Sequence, residues 1–136
     1  MRLRREIALF AAGGAIGFVV DAGMLQALVS LAGWNPYLAR VLSFCGAASV
    51  TWWWNRRHTF AHRRSGRSAP SEWLHWIGLM GLGALVNYGI YAVALLEFSL
   101  ARRWPVLAVA AGSAVAAAVN FAVARTALFR HLERVV

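Results

Sequence analysis

The sequence predicts an all-α membrane protein, built as a bundle of four transmembrane helices. Of its 136 residues, 60% are hydrophobic and only 14% are charged. A soluble domain of this size cannot bury so much apolar surface, so a bilayer must solvate the excess. The apolar residues also fall into four runs, each close to the roughly 20 residues that a helix needs to cross a hydrocarbon core about 30 Å thick.

The four predicted spans occupy, in chain order, approximately residues 7–32, 36–54, 73–96 and 105–124. The first span follows a group of arginines, an arrangement that is also typical of a signal peptide. Its apolar run is longer than the roughly 7–15 residues of a signal peptide, and three more spans follow it. We therefore expect the first helix to be retained.

Two short connections arrange these spans as two helical hairpins. Residues 33–36, Gly-Trp-Asn-Pro, form a turn between the first two helices, and residues 98–104 join the last two. Between the hairpins lies the main polar stretch, residues 56–71. Its Arg, His, Ser and Gly content predicts a solvated loop and not a separate domain.

The arginines place both termini and the central loop on the cytoplasmic side. Eleven of the fourteen basic residues lie on that side, namely Arg2, Arg4, Arg5, Arg56, Arg57, Arg63, Arg64, Arg67, Arg125, Arg130 and Arg134. The other side has only Arg40, Arg102 and Arg103. Cytoplasmic loops carry the excess of basic residues, so this ratio predicts the orientation. The tryptophans fit two interfacial belts, with Trp34 and Trp104 outside and Trp52, Trp53, Trp54, Trp73 and Trp76 inside.

The net charge of +9 points to an anionic partner. The basic residues flank apolar spans instead of covering one soluble face, which argues against nucleic acid. Anionic membrane lipid is the partner that this distribution favours. The single cysteine, Cys45, lies in an apolar stretch, and we interpret it as a buried small hydrophobe.

The chain also contains an internal repeat, which appears in two alignments of the chain with itself. The first alignment places Gly17, Val20, Asp21 and Gly23 on Gly83, Val86, Asn87 and Gly89. The second alignment places Pro36, Arg56 and Phe60 on Pro105, Arg125 and Phe129. Because each unit contains two crossings, both copies enter the membrane from the same side. The sequence therefore predicts a parallel repeat with its pseudo-axis along the membrane normal.

Some polar side chains lie within the predicted spans, where an ionised group costs from about 2.5 kcal/mol to several times more. Asp21 shares its helix face with Gly17, so we expect it to point inward. It is either a clamp to an Arg or Asn of a neighbouring helix or a functional group. Arg40 begins the second helix, where snorkelling toward the headgroups would explain it. A smooth ridge on the fourth helix predicts a packing surface, formed by Ala110, Ala114, Ala118 and Ala122.

The densest chemical cluster spans residues 51–60, Thr-Trp-Trp-Trp-Asn-Arg-Arg-His-Thr-Phe. Arg56 and Arg57 offer planar, bidentate donors to a phosphate. An aromatic platform for a sugar or an isoprenoid chain is formed by Trp52, Trp53 and Trp54. The alternative is an ordinary aromatic belt with a basic anchor. Arg125, which the repeat aligns with Arg56, favours phosphate binding, since two such arginines could bracket one headgroup.

At these residues the sequence resembles the GtrA-like family. The matching motifs are Val20-Asp21, Ala39-Arg40, residues 55–60 (Asn-Arg-Arg-His-Thr-Phe), and Asn120-Phe121 followed by Arg125 and Phe129. The resemblance covers nearly the whole chain and implies a single transmembrane domain, residues 1–136. Thr51 departs from the pattern, because the repeat would place asparagine there.

The resemblance implies a role with lipid-linked sugars of cell-envelope polysaccharide synthesis, in the bacterial cytoplasmic membrane. We expect the protein to translocate or present a polyprenyl-phosphate-linked sugar across that membrane. In this hypothesis the lipid phosphate is bound by Arg56, Arg57 and Arg125. A polar path for the sugar is lined by Asp21, Asn55, Asn87 and Asn120. Four helices form a thin wall around such a path, so we expect a homo-oligomer, a dimer in particular.

Two other hypotheses belong to different classes. The protein could recruit a membrane glycosyltransferase through its Gly/Ala faces without transporting anything. It could also be a proton-coupled exporter of the small multidrug resistance kind, although such an exporter has no need for an Arg-Arg pair after an aromatic run. No catalytic triad, paired carboxylates, phosphate loop or metal-ligand spacing can be assembled, so we predict no enzyme activity, no cofactor and no metal site.

Overall fold

The computed structural model describes residues 2–132 as a bundle of helices. The longer helices are α1 (Arg2–Gln26), α2 (Pro36–Trp54), α3 (Ala69–Glu97) and α5 (Pro105–Val123), and α4 (Ser99–Arg103) is short. Wide π-helical turns extend three of them: π1 (Ala27–Leu31) follows α1, π2 (Asn55–Thr59) follows α2, and π3 (Ala124–Leu128) follows α5. Two short strands, β1 (Arg63–Arg64) and β2 (His131–Leu132), pair antiparallel. Arg134, counted above with the cytoplasmic arginines, lies outside the described residues.

The turn between α1 and α2 follows from its residues. Gly33 has a φ of +67°, in the left-handed region where glycine meets no steric penalty. The Asn35 side chain then caps α2, because its Oδ1 accepts hydrogen bonds from the backbone N–H of Tyr37 at 2.9 Å and of Leu38 at 3.4 Å. Pro36 suits the first helical position, where its missing N–H is not needed. The chain therefore reverses, and α2 packs along α1.

Small residues let the helices of each half approach closely. Gly17 of α1 lies against the Thr51 methyl group of α2, and Gly83 of α3 lies against the Asn120 side chain of α5. A Cβ atom at either glycine would overlap the facing side chain, so the absence of a side chain permits the close approach of the two helices. The two contacts are equivalent under the repeat, because the first alignment places Gly17 on Gly83 and the second places Thr51 on Asn120.

The two halves of the chain meet at one end of the bundle. The bounds of α5 and π3 coincide with those of α2 and π2 in the second alignment, the one that places Pro36 on Pro105. Phe60 and Phe129, which the same alignment pairs, stack with ring centroids 4.8 Å apart and planes at 16°. Strands β1 and β2, which follow them in sequence, also pair with each other. Contacts between equivalent residues are expected near a pseudo-two-fold axis, and the two phenylalanines lie beside it.

An aromatic cluster fills the space between the halves at this end. Phe60, Trp76 and Phe129 are almost fully buried, and further aromatic rings pack around them. The assignment of Trp76 to an interfacial belt is therefore wrong, because none of its surface is exposed. Its indole Nε1 donates to Thr51 Oγ1 at 3.2 Å. The seam between the halves thus supplies the hydrogen-bond partner that buried tryptophans need.

Large apolar side chains cover the outside of the bundle. At least 70% of the surface is exposed for Phe18, Leu31, Tyr37, Leu85 and Leu96, which suits lipid as the surrounding solvent. Within the described residues, three helical segments are long and apolar enough to cross a membrane, namely Arg2–Leu31, Ala69–Glu97 and Leu107–Leu128. The chain is therefore a multi-pass membrane protein. Helix α2 is less apolar, because it contains Arg40 and three tryptophans, and its crossing stays a prediction.

The structure departs from the sequence predictions at three places, two of them boundaries and one a packing surface. The predicted loop at residues 56–71 is partly helical, because π2 extends to Thr59 and α3 begins at Ala69. The connection at residues 98–104 contains α4. On α5, the alanine ridge predicted to pack is exposed, and the buried residues are instead Ala108, Gly112 and Ala116. The buried ridge lies two residues out of phase with the predicted one.

Candidate functional site

A basic cleft of about 640 Å³ opens at the end of the bundle where the two halves meet. It lies between the helix end at residues 52–57 and the loop at residues 61–67, and the arginines that line it are Arg56, Arg57, Arg63, Arg64 and Arg67. Trp52, Trp53 and Glu72 also line it. Five guanidinium groups around one carboxylate create a positive potential that favours an anionic ligand.

Two tryptophans position the first two of these arginines. The guanidinium carbon of Arg56 lies 5.4 Å from the ring centroid of Trp52, and that of Arg57 lies 5.8 Å from the ring centroid of Trp53. Each arginine follows its tryptophan by four residues, a spacing that brings side chains together on one helical face. Contact with the ring face leaves the N–H edge of the guanidinium group free for bidentate hydrogen bonds to a phosphate.

Glu72 fixes one wall of the basic cleft. Its side chain is buried, and its Oε1 accepts a hydrogen bond from Trp52 Nε1 at 2.9 Å while its Oε2 accepts one from Ser65 Oγ. Arg56 Nη1 lies 3.6 Å from Oε1. This distance is too long for a good hydrogen bond. Arg56 is therefore attracted by the negative charge of Glu72, while its N–H groups stay available for hydrogen bonds to a ligand.

A second buried carboxylate, Glu6, lies at the same end of the bundle. Only 1% of Glu6 is exposed, and its Oε2 accepts a hydrogen bond from Arg125 Nε at 2.6 Å. Its Oε1 lies 3.1 Å from Arg63 Nε and 2.7 Å from His62 Nε2. Arg125 does not line the basic cleft, contrary to the expectation that it binds phosphate beside Arg56. A buried carboxylate needs a positive partner, and Arg125 supplies it.

The two carboxylates are equivalent under the sequence repeat. The first alignment, which places Gly17 on Gly83, also places Glu6 on Glu72, and the second places Arg56 on Arg125. Each carboxylate holds the arginine of the other half, since Glu6 pairs with Arg125 and Glu72 with Arg56. Neither carboxylate was predicted, because both lie at the ends of the apolar runs. The first alignment is the signal in the sequence that identifies them.

Two further predicted site residues shape the helix end and do not face the basic cleft. Trp54 Nε1 donates to the Leu9 carbonyl at 2.9 Å, and its ring stacks on His58 with centroids 4.2 Å apart. Trp54 is therefore not part of the aromatic platform. Asn55 is 2% exposed, and its side chain donates to the Thr51 carbonyl at 2.8 Å and accepts from Thr59 Oγ1 at 2.7 Å. These bonds stabilise the π-helical turn that carries Arg56.

An open cavity of about 260 Å³, here called the asparagine cavity, lies between the two halves. Asn55, Asn87 and Asn120, three of the four residues expected to line a polar path, all line this cavity. Asn120 Nδ2 donates to Met80 Sδ at 3.9 Å, and its buried Oδ1 has no hydrogen-bond partner among the described residues. An unsatisfied buried acceptor costs about 1–3 kcal/mol. The cavity is far larger than the roughly 10–15 Å³ that one water requires, so it suits water or ligand hydroxyl groups.

Asp21 does not line the asparagine cavity, although it was predicted to do so. Arg40 Nη1 donates to Asp21 Oδ2 at 2.6 Å, which joins α1 to α2. The pair is the interhelical clamp that was one of the two explanations for Asp21, and it replaces free snorkelling of Arg40. The carboxylate is thus neutralised by a fixed cation, which disfavours the proton-coupled exporter hypothesis.

These features define a small multi-pass membrane protein with an open cavity between its two halves, lined in part by three asparagines, and a cleft lined by five arginines at one end of the bundle. The family described as GtrA/DPMS, transmembrane domain, matches residues 9–129. The chain belongs to this family, which confirms the resemblance found in the sequence. Membership indicates a role in lipid-linked sugar pathways. No curated protein gives a significant match to the chain.

Proposed function

We propose that the protein translocates, or presents for use, a polyprenyl-phosphate-linked sugar across the bacterial cytoplasmic membrane. The sugar then serves the synthesis or modification of cell-envelope polysaccharide. The observation that carries the proposal is the basic cleft, where Arg56 and Arg57 stack on Trp52 and Trp53 at the end of the bundle. Family membership supports the same class of substrate.

In the proposed complex the lipid phosphate lies in the basic cleft. Arg56 and Arg57 donate hydrogen bonds to its oxygens, and the further arginines of the cleft add positive charge. Charge-assisted hydrogen bonds of this kind are roughly twice as strong as those between neutral groups. Arg125 supports the site from outside by neutralising Glu6. This role replaces the direct phosphate contact that the sequence suggested.

The asparagine cavity is the proposed route for the sugar. Asn55 lines the cavity and Arg56, the next residue, lines the basic cleft, so one helix end contributes to both the phosphate site and the cavity. The amide groups of Asn87 and Asn120 offer donors and acceptors that sugar hydroxyls can use. The polyprenyl tail stays outside, against the exposed apolar side chains of the bundle. The reaction makes and breaks no covalent bond, so we do not assign enzyme activity.

The proposal includes the orientation and the number of crossings. Helix α2 packs along α1 over its length and is proposed as the fourth span. The basic cleft, the start of α1 and the end of the described chain lie at one end of the bundle, where most arginines are found. The positive-inside rule places this end in the cytoplasm.

We also propose a homodimer, in keeping with the thin wall that four helices provide. The alanine ridge of α5 is exposed in the single chain, and its members are Ala110, Ala114, Ala118 and Ala122. Small residues on an exposed helix face permit close packing with another helix in the membrane. Replacement of Ala114 by leucine would then shift the purified protein toward the monomer in light scattering, and an unchanged mass would exclude this interface.

The same ridge favours a second candidate function, recruitment of a membrane glycosyltransferase. In that case a helix of the enzyme occupies the ridge, and the protein carries no lipid. Pull-down from membranes separates the two candidates. Copurification of a glycosyltransferase that is lost in Ala114→Leu, without any retained polyprenyl lipid, would favour recruitment.

The main test is native mass spectrometry of the detergent-purified protein. The wild type is expected to retain polyprenyl phosphate or its glycosylated form, and Arg56→Ala/Arg57→Ala is expected to lose it. Arg103→Ala, at the opposite end of the bundle, is the control for a general loss of charge. Equal lipid retention by the wild type and the double variant would refute binding at the basic cleft. A translocation assay in vesicles with the same variants then separates flipping from presentation.

A further inference from the structure

A second basic cleft, here called the N-terminal cleft, lies on the other side of the turn at residues 60–62. Its volume is about 630 Å³, close to that of the basic cleft. The basic residues that line it are Arg2, Arg4, Arg5, His58 and His62. Ala61 lines both clefts, so the turn forms the wall between them. The function proposed above uses none of the three N-terminal arginines.

The N-terminal cleft is positive because the carboxylate in its wall is already neutralised. Both oxygens of Glu6 are occupied, by Arg125 on one side and by Arg63 and His62 on the other. Arg2, Arg4 and Arg5 are exposed, and within residues 2–132 they form no ion pair. Three guanidinium groups within about one turn of one helix therefore keep their donors for a ligand. Their planar, forked geometry matches phosphate oxygens.

The position of this cleft favours a lipid as the ligand. It lies at the first turns of the segment Arg2–Leu31, which is long and apolar enough to span a membrane. On the same turns, Leu3 and Ile7 are 48% and 49% exposed. A phosphate held by the arginines would lie at headgroup depth, with its acyl chains beside these two side chains. Basic pockets at this depth are typical sites for anionic lipid headgroups.

We propose that the N-terminal cleft binds the phosphodiester headgroup of an anionic phospholipid, at a site separate from that of the lipid-linked sugar. The proposal rests on the proposed function only in that both lipids lie in the same leaflet. A bound phosphodiester would hold the first turns of α1, and with them Glu6, against the central loop. Anionic lipid would thus stabilise the end of the bundle on which the basic cleft is built.

The test is competitive lipid binding followed by native mass spectrometry in detergent, where membrane orientation has no influence. Phosphatidylglycerol and phosphatidylcholine with the same acyl chains are added to the wild type, to Arg2→Gln/Arg4→Gln/Arg5→Gln and to Arg56→Gln/Arg57→Gln. The wild type is expected to prefer phosphatidylglycerol. Each arginine near an anionic headgroup contributes about fivefold in affinity, so the triple variant should lose about a hundredfold. The double variant keeps all three N-terminal arginines, so its loss of phosphatidylglycerol affinity should be at least tenfold smaller than that of the triple variant.

The outcomes separate this proposal from the function proposed above. The N-terminal site would be refuted if the triple variant bound phosphatidylglycerol as tightly as the wild type. It would also be refuted if the triple and the double variant lost the same affinity, because that result would indicate one shared basic surface. Failure of the basic cleft would appear as unchanged retention of polyprenyl phosphate in the double variant. Displacement of phosphatidylglycerol by millimolar glycerol 3-phosphate would identify a soluble anion as the ligand and overturn the lipid assignment.

A folding control keeps the test decisive. The three arginines are exposed at the start of α1, so their replacement is expected to leave the fold intact. The melting temperature is measured on the same samples. If the triple variant does not fold, Arg4→Gln alone should lower the affinity about fivefold, and an unchanged affinity of that variant would also overturn the proposal.

Discussion

Glu6, near the start of α1, holds Arg125, in π3, through an ion pair of 2.6 Å that joins the first and last parts of the helix bundle. The equivalent pair of the repeat, Arg56 with Glu72, spans 3.6 Å. The difference follows from the other partners. The oxygens of Glu72 are held by Trp52 and Ser65, whereas those of Glu6 are held by basic groups. The same pair of repeat positions therefore forms a tight ion pair between Glu6 and Arg125 and a looser one between Glu72 and Arg56, which lies at the basic cleft.

Replacement of Arg125 by glutamine should lower the stability of the protein. The change removes the shortest of the contacts that neutralise Glu6, which is almost fully buried. Arg63 and His62 remain, so we expect a loss of about 2 kcal/mol, below the full penalty for an unpaired buried charge. This loss in the free energy of unfolding is measured by unfolding the protein in mixed detergent micelles, with tryptophan fluorescence as the signal.

Arg56→Gln is the matched control, because the repeat relates the two arginines. Its contact with Glu72 is longer, at 3.6 Å, and Trp52 and Ser65 still donate hydrogen bonds to the carboxylate, so we expect a smaller loss of stability, about 1 kcal/mol. Its affinity for polyprenyl phosphate should fall as well. Equal destabilisation by the two substitutions would show that the difference in length between the two ion pairs does not affect the free energy of unfolding.

Trp52 is expected to act on lipid binding through two contacts. Its ring lies under the guanidinium group of Arg56, and its Nε1 donates to Glu72. Trp52→Phe keeps a ring but removes the hydrogen bond, so Glu72 loses a partner and moves closer to Arg56. We expect the affinity for polyprenyl phosphate to fall about fivefold, since a hydrogen bond contributes about 1 kcal/mol.

Trp53→Phe serves as the control for this change, because Trp53 contacts Arg57 only through its ring face. Its effect should be no more than about twofold, the difference between tryptophan and phenylalanine in cation–π contact. Lipid titrations by native mass spectrometry compare the two. A larger loss in Trp53→Phe than in Trp52→Phe would contradict the role assigned to Glu72.

The features set by hydrophobic length and by the repeat were predictable from the sequence. Helix positions followed from apolar runs, and the second alignment of the repeat reappears in the bounds of α2 and α5. The repeat also aligns Gly17 and Gly83, whose contacts are equivalent in the structure. These features depend on local spacing, which a sequence displays directly.

The features that depend on how the two halves pack were not predictable in the same way. Nothing in the local sequence distinguishes the buried Trp76 from an interfacial tryptophan. Arg125 carries the same charge whether it faces a phosphate or a buried carboxylate, and only the folded chain brings Glu6 to it. The π-helical turns π2 and π3 likewise depend on tertiary contacts, because Phe60 and Phe129, which follow these turns, stack on each other only in the folded chain.

Gly112→Ala should disrupt the packing of α3 on α5. A Cβ atom at this position would lie 2.6 Å from the backbone carbonyl oxygen of Asn87, on α3, and backbone cannot turn aside as a side chain can. Overpacking of this kind costs about 1–3 kcal/mol, and we expect a lower melting temperature in detergent. Gly89→Ala, on α3, meets nothing within 4 Å and should leave the melting temperature unchanged or slightly higher. Equal effects of the two substitutions would argue against close packing at Gly112.

Asn120→Ala should separate function from stability. The Asn120 side chain makes one weak hydrogen bond, to Met80 Sδ, and its Oδ1 is unsatisfied within the described residues. Its removal should therefore change the free energy of unfolding by less than about 1 kcal/mol. If sugar hydroxyls use the asparagine cavity, the loss of this amide should slow translocation about tenfold, equivalent to about 1.4 kcal/mol in the barrier. Ser30→Ala, whose hydroxyl contacts Gln26 outside the cavity, is the control and should translocate at the wild-type rate. If the Asn120→Ala protein is stable and translocates at the wild-type rate, the sugar takes another route. If it is as stable as the wild type but translocates slowly, the Asn120 amide serves transport and contributes little to the stability of the fold.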